Sequence, residues 1–376
     1  MAISTIAKTL LACIAALLLG GCANLSYYSQ AVGGHLEILR ESRPIDEWVS
    51  DPGTDGKLKA QLERVKAIRD FASHDLGLPD NGSYREYVDL GRPFVVWNVF
   101  ATPEFSFQPE QWCMWVVGCV NYRGYYDQAE AQRFAEQLRK AGYDTYVGGV
   151  PAYSTLGYFN DPVLNTFLRF GDEEVARLIF HELAHQKVYA EGDSVFNESF
   201  ASVVEEEGMR RWFAVHGHRD VTKQLSAGNQ RKTEFTELVM GYREKLVALY
   251  REKLPPEFMR KAKGEVLSQL RSDYAALKAK WGGYAGYDAW VDNDLNNAKM
   301  ASLALYTQLV PALEALLKAE DANLSKFYRR ASSLAKMSRE GRRISLASLM
   351  PPPPVATIKP SLQGMQLVGN TSKFAP

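Results

Sequence analysis

His181-Glu182-Leu183-Ala184-His185 places two imidazoles and a carboxylate within five residues. On an α-helix, residues four apart share a face, so both imidazoles reach one cation. Neutral imidazole nitrogens suit Zn2+, and a carboxylate as third ligand leaves the fourth position for water. Glu182, beside the first His, is then placed to take a proton from that water. Asn197-Glu198-Ser199-Phe200-Ala201 follows shortly after. Glu198 is the candidate third ligand, because a short loop can fold its helix back across the first. Glu205, Glu206 and Glu207 compete on chemistry alone, but Glu206 and Glu207 read as a solvated acidic run. Ser202 and Glu205 share the face of Glu198 at steps of four and three. They are the candidates to hydrogen bond a ligating imidazole and fix its tautomer.

The elements that must position these groups are legible from periodicity. Gly171 or Asp172 starts a helix, its first turn is acidic, and Val175, Leu178, Ile179, Leu183 and Val188 recur at helical spacing. A second helix begins near Asp193 or Ser194 and runs toward Arg211. Residues 30–75 read as helical, broken by Asp51-Pro52-Gly53. Residues 84–125 are strand-like, with runs at Tyr87–Leu90, Phe94–Phe100 and Trp115–Val117. Asp127 to Ala141 forms an amphipathic helix, and Tyr143 to Val150 a strand. Helices dominate from there to about Arg342, and Pro351 to Pro354 ends the fold. The expected class is therefore α+β and predominantly helical. One large catalytic domain spans residues 22–350, with a loosely ordered tail at 351–376.

The metal motif with its later Asn-Glu-x-Phe-Ala resembles the gluzincin metallopeptidases, whose third zinc ligand is a Glu on the following helix. The wider chain resembles the bacterial "putative aminopeptidase" family of lipid-anchored proteins. The likeness is carried by Cys113 to Tyr126, Gly148 to Leu164, the metal motifs, and Leu295 to Leu313. Only twelve residues separate His185 from Glu198, fewer than is usual in gluzincins. The resemblance implies a zinc peptidase with a small mixed sheet whose edge strand lies over the active-site helix. Tyr143–Val150 is the candidate edge. Its Gly148-Gly149 either allows close approach of a peptide backbone or belongs to an ordinary strand. Such enzymes add a Tyr or His donor to the developing oxyanion. Tyr153 and Tyr306 are the candidates, ahead of His216 and His218. Exopeptidase action also needs an acid for the substrate's α-ammonium; Glu104, Glu110, Asp144, Asp161 and Glu173 are available. Asn296 and Asn297 either bind substrate backbone or cap a helix.

The first 21 residues read as a targeting segment. Lys8 precedes an apolar run, Leu10 to Leu19, too short to span a bilayer. It ends in Leu19-Gly20-Gly21-Cys22, which looks like a bacterial lipobox. Lipidation of Cys22 would leave a periplasm-facing protein at the cell envelope, and Ala23 leans toward the outer membrane. Of four Cys, Cys13 leaves with the signal and Cys113 and Cys119 remain. In an oxidising compartment they favour a disulfide over two buried thiols, provided the chain turns between them. Acidic and basic residues number 44 each, which excludes a basic nucleic-acid surface. The expected partners are peptide substrate and membrane. The leading reading is a zinc aminopeptidase. The alternatives are an envelope endopeptidase and a non-catalytic scaffold lipoprotein.

Overall fold

The structure is a computed structural model that describes residues 27–114, 118–216 and 219–349. The expectations for the signal segment, Cys22, Trp115–Val117, His218 and the tail lie outside these residues. The chain begins with helix α1 (27–41), followed by β1 (Arg43–Pro44), α2 (Ile45–Ser50) and α3 (Gly56–His74). The expected break falls between α2 and α3. There Asp51 accepts a hydrogen bond from the Gly53 amide, and Asp55 caps α3 through the amides of Lys57 and Leu58.

Strands follow as β2 (Glu86–Val88), β3 (Val96–Pro103), β4 (Trp112–Met114), β5 (Gly118–Val120) and β6 (Arg123–Tyr125). Helix α4 (Gln128–Lys140), capped by Asp127, leads to β7 (Tyr143–Val150) and β8 (Val163–Leu164). Two three-stranded sheets result, one mixed with order β1-β2-β8 and one antiparallel with order β6-β3-β7. The hairpin of β4 and β5 puts Cys113 opposite Cys119, and a disulfide joins them with Cα atoms 3.8 Å apart. β7 is an edge strand, and its main helical neighbours are α4 and α11. A Cβ at Gly149 would strike the Phe94 ring, so that glycine makes room for an aromatic side chain of its own sheet.

The remainder is helical. Short α5 (Asn165–Leu168) precedes α6 (Asp172–Lys187) and α7 (Ser194–His216). α8 (Arg219–Leu249) and α9 (Pro256–Lys280) pair as a long hairpin, and α10 (Asp288–Asp292) to α14 (Arg339–Ala347) close the fold. Within that last group α11 is Asn297–Thr307, α12 Val310–Ala319 and α13 Leu324–Ala335. The fold is thus predominantly helical α+β. Its main core centres on α6 and α7, where Val175, Ile179, Phe180, Leu183, Phe196 and Phe200 are almost fully buried against α3, α12 and α13. Phe196, Phe200 and Phe327 stack in series. A second core fills the α8–α9 hairpin, and a third lies between the antiparallel sheet and α4.

Asn296 and Asn297 hold this assembly together. Asn296 caps α11 and donates to the Thr145 carbonyl, while Asn297 donates to the carbonyls of Glu104 and Ser106. Asn296 is thus a helix cap, while Asn297 ties α11 to the loop after β3.

Candidate metal centre

α6 carries the first half of the site. The chain enters it through Gly171 at φ 92, a backbone conformation that side-chain-bearing residues rarely adopt. Its apolar face is buried, and the opposite face turns His181, Glu182 and His185 into a cleft of about 770 Å3, each with 8% of its surface exposed. The return to α7 is clamped by Asn197, which accepts from the Ala190 amide at 2.8 Å and donates to the Ala190 carbonyl at 2.9 Å. Asp193 receives the Phe196 amide at the helix start, and its other oxygen meets the buried Arg342 at 2.9 Å. The Asn of the Asn-Glu-x-Phe-Ala stretch thus fixes a turn, and that turn sets where Glu198 points.

Glu198 Oε2 lies 3.3 Å from His181 Nε2 and 3.6 Å from His185 Nε2. The three donor atoms fall within 4.8 Å of one another. A tetrahedral zinc with bonds of ~2.0–2.1 Å keeps its donors roughly 3.4 Å apart, so the set fits that ion in type and in spacing. Glu205 Oε2 is 2.9 Å from His181 Nδ1, the far side of the same ring, which leaves Nε2 facing Glu198. Arg177 in turn donates to Glu205 at 2.8 Å and to Glu206 at 2.9 Å. His185 differs: its Nδ1 is buried and without a hydrogen-bond partner among the described residues.

These contacts set the electrostatics. Burial opposes a charge on His181, but the hydrogen bonds to Glu198 and Glu205 outweigh it and push the imidazole up to about 10. Burial alone would raise Glu198 and Glu205, yet the two histidines pull Glu198 down to about 2, and His181 does the same for Glu205. The carboxylates are therefore ionised, and any cation taken by Nε2 displaces a proton. Glu182 moves the other way. Burial raises its carboxyl above the usual range, against the pull of His181 and His185, which suits a proton acceptor near neutral pH.

Ser202 lines the cleft, but its hydroxyl donates to the Tyr306 carbonyl at 3.4 Å. It fastens α11 to α7 and is not recorded bonding either imidazole. Glu207 is buried and paired with Arg210 and Arg211 at 2.7 Å, so it is no solvated surface acid. Glu206 is bound by Arg177 and Lys232. The two candidate tyrosines also part company. The Tyr306 ring centre is 6.3 Å from that of His181, and the Glu198 charge, then burial, lifts its hydroxyl well above the ordinary value. Tyr153 lines the cleft with its hydroxyl 2.6 Å from His35 Nδ1 and in contact with Tyr126.

Several residues of the cleft carry no sequence signal. Tyr122 and Tyr189 face it, and burial followed by the Glu198 charge raises both, Tyr189 to about 12. Tyr122 lies in the Cys113 to Tyr126 stretch, but nothing local to that stretch reveals that it points at α7. Of the acids considered for a substrate amine, Glu104 is bound by Arg260, Asp144 by Lys263, and Asp161 is buried. Glu174, one turn before Arg177 and two before His181, does line the cleft, 3.7 Å from Arg177. β7 reaches the cleft through Val150 and the segment Pro151–Ser154 that follows it.

Neither a curated protein nor a solved structure matches the chain. A family described as "Putative aminopeptidase" matches residues 26–346, nearly the whole described chain including α6, α7 and the cleft walls, and the protein belongs to that family.

Proposed function

We propose that the protein is a zinc-dependent aminopeptidase of the bacterial envelope, anchored through lipid on Cys22 and facing the periplasm. The observation that carries the catalytic reading is the convergence of His181 Nε2, His185 Nε2 and Glu198 Oε2 at the floor of an apolar-walled cleft, with Glu182 beside them. These three side chains would hold the ion. Zinc supplies Lewis acidity, which acidifies water and polarises a carbonyl. Glu182 accepts the proton released from that water and delivers it to the leaving amine, a role its raised pKa favours. Glu205 keeps the His181 ring in the tautomer that presents Nε2. Tyr306, its ring centre 6.3 Å from that of His181, is the proposed donor to the oxygen that gains charge. Glu174, a carboxyl of the cleft that burial raises and Arg177 draws back toward its charged form, is the proposed partner of a substrate α-ammonium, and family membership favours that exopeptidase mode over endopeptidase action.

Peptide substrates with a free and an acetylated amino end test the mode. Cleavage of the free peptide with loss of nearly all turnover on the acetylated one is the expected result. Equal rates on both would point to an endopeptidase.

A further inference from the structure

The stretch from Ala23 to Leu36 contains no Asp, Glu, Lys or Arg. It follows Cys22 directly, and from Tyr27 onward it forms the first part of α1. That helix has an apolar inner face, where Tyr27 and Ile38 are buried. It also has an apolar outer face. Tyr28, Val32 and Leu36 recur at steps of four, so they share one side of the helix. They are 39%, 56% and 45% exposed. Beside them lies the loop after β7, whose Tyr158 and Phe159 are 69% and 47% exposed. The Phe159 ring packs on His35, the neighbour of Leu36, with centroids 4.8 Å apart. Scattered exposed apolar residues are ordinary on a protein surface, but a helix whose first ten residues carry no charge, with an apolar stripe and an adjoining aromatic pair, is a surface built for a partner.

Chain length fixes which partner. Four residues separate Cys22 from Tyr27, and even fully extended they reach roughly 17 Å. A lipid on Cys22 would therefore hold the start of α1 within roughly 17 Å of the lipid surface. Tyrosine rings are suited to the boundary between headgroups and acyl chains, where their apolar body and polar tip are both satisfied. We infer that the outer face of α1, with Tyr158 and Phe159, lies against the lipid surface. This rests on the lipid-anchor reading of Cys22 proposed above. The consequence concerns the active site. Tyr27 and Ala31 on the same helix, and Tyr153 and Leu156 on the same loop, line the cleft that holds His181. The cleft then opens beside the bilayer, and the enzyme acts on peptides presented at the membrane surface.

The test uses the full lipidated chain in phosphatidylethanolamine–phosphatidylglycerol vesicles whose acyl chains carry bromine. Val32→Cys and Tyr158→Cys each accept one environment-sensitive fluorophore, since Cys22 is acylated and Cys113 and Cys119 are paired. Ile344→Cys on α14, exposed but far from α1 in sequence, serves as reference. The expected result is blue-shifted emission and at least twofold quenching at positions 32 and 158, with neither at 344. Equal emission at all three positions on chains that still float with the vesicles would overturn the seating and leave the anchor intact. Chains that do not float would overturn the anchor at Cys22 and the seating with it.

Discussion

On the α6–α7 floor of the cleft, Arg177, Glu205, His181 and Glu198 contact one another in series at 2.8, 2.9 and 3.3 Å. On the facing walls, Tyr122, Tyr153 and Tyr189 come from separate segments, and it is first burial that raises their hydroxyls. The floor is a chain of charges on two consecutive helices, fixed by spacings of three and four and by one clamped turn. The wall is assembled from α1, the antiparallel sheet, the β4–β5 hairpin, the loop after β7, α8, α10 and α11. The two are joined at Asp161, whose Oδ2 receives the Thr155 amide at 3.0 Å on the wall side and Gln186 at 3.5 Å on α6. On the proposed mechanism the floor holds the ion and moves the proton, while the wall contributes Tyr306 and most of the surface that meets substrate.

Substitutions separate the two. Glu182→Gln removes the floor's proton acceptor with almost no change of shape. Turnover is expected to fall by ~10³–10⁴-fold while bound zinc, read by metal analysis, stays the same. Asp161 comes next, because it braces floor against wall. Burial pushes its carboxyl up to about 7 from an unfolded value of 3.8. The folded state then binds more protons than the unfolded one. That contribution is fully present below pH ~4 and is lost as pH rises through 7. In Asp161→Asn the loss should vanish, so the variant gains roughly 3 kcal/mol on the wild type between pH 4 and pH 8 in paired urea titrations. A flat difference would show that Asp161 does not carry the strain of burial. Smaller effects belong to the wall. Tyr306→Phe should cost ~10²-fold in kcat if its hydroxyl meets the developing oxyanion, with little change in KM. Tyr153→Phe, whose hydroxyl is already taken by His35, should change kcat less than ~3-fold. Equal effects of the two would remove the distinction between them.

The same contrast explains what could be read from the residues alone. The helices of the floor, the break at Asp51-Pro52-Gly53, the amphipathic helix after Asp127 and the strand Tyr143–Val150 all follow from local spacing, and the fold carries each of them. The gathering of His181, His185 and Glu198 follows from helical periodicity plus one turn. Ser202 misled because sharing a face with Glu198 does not say which neighbour a hydroxyl will find; α11, a hundred residues away, supplies the nearer acceptor. Glu207 misled because Arg210 and Arg211 are its own helix neighbours and bury it with them. Gly148-Gly149 left two readings open, substrate approach or an ordinary strand, and at Gly149 the space is taken by Phe94 from the chain before β3. Tyr122 enters the cleft through tertiary contacts that no window of sequence contains, whereas Glu174, seven residues before His181 on the same helix, could have been found from its spacing.

The most direct measurement of the central claim is zinc binding by the purified chain, with Glu205→Gln and Glu198→Ala beside it. The account expects about one zinc per wild-type chain, since one complete donor set lies among the described residues. It expects affinity lowered ~10–100-fold in Glu205→Gln and by more in Glu198→Ala. A wild-type chain that stays free of zinc after reconstitution, or a Glu198→Ala chain with undiminished affinity, would contradict it.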